Sequence, residues 1–89
     1  MFISIIVDLA SPESEKNVAK VINEYGIKKI QSNLFESFEF PINKLGNFKR
    51  DLTNCLDMYD NIRIYQYPLE DTFKISYFTS GKWKRLSMK

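Results

Sequence analysis

The chain has 89 residues, 44% of them hydrophobic and 15% aromatic, a composition that suits one folded domain and excludes a disordered chain. It has no histidine and a single cysteine, Cys55, so one copy cannot assemble a Ser-His-Asp or Cys-His relay, an intrachain disulfide or a Cys/His zinc centre. A formal net charge of +2 is too weak to announce a nucleic-acid partner, and no apolar run approaches the ~20 residues that span a bilayer.

The first predicted element is "FISIIVD", Phe2 to Asp8, whose nearly continuous apolar character reads as a strand buried on both faces. Asp8 interrupts it where the strand runs out. A carboxylate buried there would have to be neutral, paired or holding a cation. Ser11-Pro12 then reads as a helix start, with Ser11 as N-cap and Glu13 and Glu15 at the positive end of the dipole. Val18, Val21, Ile22 and Tyr25 recur on one helical face, and Gly26 ends it. "KKIQSNLFESFEF" (Lys28 to Phe40) is rich in β-formers, but its alternation fails at Gln31-Ser32-Asn33, which predicts two short antiparallel strands around a tight turn. Leu45, Phe48, Leu52, Cys55 and Leu56 outline a second helical face, which makes Cys55 a packing residue. A strand follows over Asn61–Tyr67 and is closed by Pro68. The last strand is Thr72–Phe78, ending at Thr79-Ser80-Gly81. The remaining "KWKRLSMK" is a basic tail with Lys82, Lys84, Arg85 and Lys89 and no acid, a composition suited to phosphate contact.

The order β-α-β-β-α-β-β predicts a single domain over residues 1–89, of the α+β class. Its first six elements match the ferredoxin-like βαββαβ arrangement, with an extra C-terminal strand and two helices on one face of an antiparallel sheet. Such a sheet has a bare second face, and the expected cover is a second copy of the chain. The segment from about residue 70 onward is expected to cross to that copy, because the six-element fold is complete at Tyr67 and Pro68 turns the chain away. No secretory leader is evident, which predicts a cytoplasmic protein.

The Asp8 strand end, "EKNVAKVINEYG" (Glu15 to Gly26), "IQSNLFES" (Ile30 to Ser37) and "DNIRIYQY" (Asp60 to Tyr67) fall in an order and spacing that resemble one family. It is the small ferredoxin-fold CRISPR-associated endonuclease family, the partner of the spacer integrase in the adaptation machinery. The resemblance implies a homodimer that binds duplex DNA or RNA, with an aspartate at the end of the first strand doubled across the two-fold axis to hold one magnesium. Asp8 occupies that place. Family members act as RNA or DNA endonucleases, or as DNA-binding scaffolds whose nuclease site is dispensable; a toxin-type ribonuclease family shares the fold and the aspartate. Lys29 stands where the family often has arginine, Asn33 where it has serine, and Lys16 and Lys20 are the only bases of a helix start that is commonly arginine-rich. Lysine lacks the bidentate fork of arginine, so phosphate contact is weakened at these positions.

The functional expectation is therefore a magnesium-dependent phosphodiesterase with Asp8 as catalytic and metal-binding residue, or a non-catalytic dimeric scaffold for the integrase. Lys16, Lys28, Lys29, Lys82, Lys84 and Arg85 are the candidate nucleic-acid contacts. The plainer expectation for Asp8 is a strand-end residue accepting backbone N–H groups from Ser11 onward. Phe35 and Tyr65 read as core residues of their strands ahead of base-stacking ones, and Arg63 as half of a salt bridge.

Overall fold

The computed structural model describes residues 1–69 and 72–88. Its first strand, β1 (Phe2–Asp8), buries Ile3, Ile5 and Val7 on one side. Burial on both faces is not observed: Ile6 is 44% exposed, because both helices pack on the Ile3–Ile5–Val7 side. Helix α1 (Pro12–Glu24) starts as the sequence requires, with the Ser11 hydroxyl accepting the Ser14 N–H at 3.0 Å and Pro12 opening the first turn. It ends at Gly26, whose φ of 76° only glycine adopts freely. There the Ile27 N–H donates back to the Ile22 carbonyl at 3.3 Å, and Ile27 is buried against the helix end.

Strands β2 (Lys28–Gln31) and β3 (Leu34–Ser37) form the expected hairpin around Ser32-Asn33, with a register irregularity between Lys29 and Gln31. A short 3₁₀ turn (Ile42–Lys44) leads into α2 (Leu45–Thr53), which buries Leu45, Phe48 and Leu52. The helix is shorter than the apolar spacing predicts. Cys55 and Leu56 lie in the turn beyond it, held by N–H bonds to the Leu52 and Thr53 carbonyls, and still pack at the margin of the core. Tyr25, Phe40 and Phe48 form an aromatic cluster with ring separations of 5.0 to 6.3 Å. The Tyr25 hydroxyl donates to Asp51 at 2.6 Å, tying the end of α1 to α2.

Strand β4 (Asn61–Leu69) does not stop at Pro68. Its pairing shifts register between Gln66 and Leu69, where Pro68 has no N–H to give the ladder. β5 (Thr72–Thr79) then pairs with the chain's own β4, from Ile62 opposite Phe78 onward, so Pro68 does not turn the chain away from its sheet. The basic tail is also corrected. Residues 82–88 form a strand, β6 (Lys82–Met88), paired with β5 along its length. The connecting Ser80-Gly81 has φ of 51° and 77°, the pair of positive values that lets a two-residue turn follow the twist of a hairpin. Gly81→Ala is expected to lower stability by about 1 kcal/mol through backbone strain, read as a drop in the urea midpoint.

Among the described residues the sheet thus has six antiparallel strands in the order β2-β3-β1-β4-β5-β6, and with two helices the fold is α+β. Two strands extend the sheet beyond β4, where one was expected. Among the described residues no helix is long and apolar enough to cross a membrane.

Candidate functional site

Strand alternation decides where Asp8 stands. Phe2, Ser4, Ile6 and Asp8 share the face of β1 turned away from the buried side, and Asp8 pairs in register with Asn61 at the start of β4. Asp8 is exposed, so the cost of burying a carboxylate does not arise. No hydrogen bond or ion pair engages its side chain among the described residues.

The capping role that the plainer expectation assigned to Asp8 belongs to a different residue. Asp60, directly before β4, is fully buried and accepts from the Ala10 N–H at 2.8 Å, the Ser14 hydroxyl at 3.0 Å and the Asp57 N–H at 3.0 Å. It therefore ties the β1–α1 connection and the first turn of α1 to the loop that ends α2. Burial alone would raise its pKa, but the two backbone N–H bonds and the Ser14 bond outweigh that and hold the carboxyl below its usual value. Sequence reasoning missed Asp60. Its only signal was a second aspartate beside a strand end, in "LDMYDNIRI".

On the same open face as Asp8, the register sets Arg63, Tyr65 and Tyr67 of β4 beside Phe73, Ile75 and Tyr77 of β5 and Lys84 and Leu86 of β6. Tyr67 and Leu86 are 54% and 45% exposed. Among the described residues Arg63 has no carboxylate partner, contrary to expectation. Its guanidinium carbon lies 5.9 Å from the Tyr65 ring and 5.4 Å from the Tyr77 ring, a position that favours a delocalised cation. Phe35 is a core residue, as its strand pattern implied, whereas Tyr65 is half-buried on the open face.

The candidate cations are all exposed, but they do not form one patch. Lys28 is in register with Glu36 and borders a shallow surface with Ser37, Phe38 and Glu39. Lys29 pairs with Phe35 and lines a different, small cleft with Glu15, Ser32 and Asn33. Lys16 is on the outer surface of α1. The β6 cations divide by alternation: Lys84 stands opposite Tyr77 and Lys82 opposite Thr79 on the open face, and Arg85 stands opposite Ser76 on the helix-bearing face. Lys49 of α2 was not anticipated. Its ammonium donates to the Ser76 hydroxyl at 2.7 Å and lies 5.5 Å from the Trp83 ring.

Among the described residues no three His, Cys, Asp or Glu side chains gather as a ligand group; Asp8, at the end of β1, is exposed. No family model, no curated protein and no solved structure matches the chain.

Proposed function

We propose that the protein is a nucleic-acid-binding homodimer of the CRISPR adaptation type, a magnesium-dependent phosphodiesterase with Asp8 of each copy at a shared metal site. The observation that carries this reading is the division of labour between two aspartates. Asp60 holds the loop and Asp8, on the face that neither helix covers, has no structural duty. A ferredoxin-like reading of the first six elements is supported by the order β2-β3-β1-β4, in which β1 lies between β3 and β4.

One carboxylate cannot build a hydrolytic site, but a two-fold axis beside it supplies a second. Two carboxylates ~4 Å apart repel by about 4 kcal/mol at an effective dielectric of 20, so the pair would favour a cation between them. Asp8 is a hard oxygen donor of the type magnesium takes, with water and substrate phosphate oxygens filling the remaining positions. When bound, the metal would polarise a phosphodiester and lower the pKa of an attacking water. The chain's own contribution is to hold Asp8 at the end of a strand whose partner, β4, is fixed by Asp60. The exposed Ile6, Tyr67 and Leu86 supply apolar surface for the second copy.

The test is cleavage of single- and double-stranded RNA and DNA by the wild type and Asp8→Asn. The expected result is magnesium-dependent cleavage that falls at least about 100-fold in Asp8→Asn, with the circular-dichroism spectrum and sedimentation unchanged. Wild-type kinetics in Asp8→Asn would overturn the catalytic assignment. A second reading, a non-catalytic dimer holding duplex DNA for the integrase, is favoured by the exposure of Lys16, Lys28, Lys29, Lys82 and Lys84. Under it neither protein cleaves, and both bind duplex with a steep salt dependence. Lys28→Gln/Lys29→Gln then lowers the slope of log K against log salt by up to about two per chain.

A further inference from the structure

We propose that Lys49 and Arg85 form an oxyanion-binding site between α2 and the β5–β6 hairpin, one that takes a phosphate group. The site lies on the helix-bearing side of the sheet, opposite the face that carries Asp8 and independent of any metal there.

Two separate constraints bring the cations together. Arg85 is directly opposite Ser76 in the β5–β6 ladder, so the two side chains leave the same face of the sheet. Lys49 reaches down from α2 and donates to that same Ser76 hydroxyl at 2.7 Å. Lys49 is therefore bonded to Ser76, and Arg85 leaves the sheet beside it on the same face. Ser76 is itself buried and tied to Gln66 at 3.3 Å, and among the described residues no carboxylate bonds Lys49, Ser76 or Arg85. The acid on the helix, Asp51, is already used: it accepts from the Tyr25 hydroxyl at 2.6 Å and lies 3.6 Å from Arg50.

Lys49 is held in place before any ligand arrives. Trp83 lies under its ammonium at 5.5 Å, and is itself fixed by an edge-on contact with Phe78 at 5.4 Å and by donating its indole N–H to Thr53 at 2.8 Å. A lysine ammonium has three donors, and Ser76 takes one of them. The others, together with the guanidinium fork of Arg85, are what a tetrahedral oxyanion requires. Burial first, and the Arg85 charge second, lower the Lys49 pKa to about 8. A bound anion acts in the opposite direction on both causes' result, because it stabilises the charged amine.

Phosphate could come from a free phosphate ester or from a nucleic-acid backbone, and the experiment separates the two. The Lys49 side-chain amine of the full chain is followed by NMR against pH, alone and with inorganic phosphate, a deoxynucleoside monophosphate or a short single-stranded DNA. The expected result is a rise of about one unit in the Lys49 pKa with at least one of them. A response to the monophosphate and inorganic phosphate identifies a small-anion site, and a response to DNA alone identifies a backbone contact; either supports the proposal. Arg85→Gln, an exposed change that leaves the core intact, should weaken the binding about tenfold. The proposal is overturned if Lys49 titrates identically under all conditions, or if Arg85→Gln binds as tightly as the wild type.

Discussion

Asp60→Ala is expected to destabilise the protein by about 3–4 kcal/mol, whereas Asp8→Ala should change stability by less than about 0.5 kcal/mol. The two aspartates are both beside strand ends, but only Asp60 is fully buried and accepts three hydrogen bonds. Removing its carboxylate leaves the Ala10 and Asp57 N–H groups and the Ser14 hydroxyl without their acceptor, and frees the connection between β1 and α1 from the loop before β4. Asp60→Asn retains the volume and one acceptor oxygen but turns an amide N–H₂ toward donors, so an intermediate loss of about 2 kcal/mol is expected. The pH dependence has a definite sign. The folded pKa lies below the ordinary 3.8, so the contribution of Asp60 is complete above that value and is lost as pH falls through the lower, folded value. Urea unfolding of wild type and Asp60→Ala at pH 7 and at pH 3 checks both parts: the gap between them should narrow on acidification.

Deleting the β5–β6 hairpin should unfold the chain and not release a folded monomer. Phe78 is 4% exposed and belongs to the central core, and losing that side chain alone costs about 3–5 kcal/mol. A small domain has about 5–15 kcal/mol in total. The deletion also strips β4 of its partner along the Ile62–Gln66 stretch and uncovers Gln66, which is buried and bonded to Ser76. The expected readout is loss of the cooperative thermal transition and sedimentation as aggregate. A truncated chain that keeps its transition and sediments as a monomer would show that the hairpin is an accessory to a complete four-stranded core.

What was legible in the sequence was what local chemistry dictates. Ser11-Pro12 and Gly26 mark the ends of α1 because capping and positive φ act over a few residues. The Gln31-Ser32-Asn33 interruption marks the β2–β3 turn for the same reason. The two-residue Ser80-Gly81 turn reads as an end, since "KWKRLSMK" is basic and without an acid; tertiary pairing with β5 overrides that. Asp60 and Lys49 were invisible because their partners are far away in sequence: Ala10 and Ser14 for one, Ser76 and Trp83 for the other. Asp8 reads as buried because the strand before it is nearly all apolar. It is exposed, and what distinguishes it is that its presumed structural role is already taken by Asp60.

The most direct test of the paired-Asp8 account is the stoichiometry of divalent-metal binding, measured by titration calorimetry with Mg²⁺ and by the spin signal of Mn²⁺. One ion per two chains, abolished in Asp8→Asn and retained in Arg85→Gln, a change on the opposite face of the sheet, is the result the account requires. One ion per single chain, or binding that Asp8→Asn leaves unchanged, would contradict it.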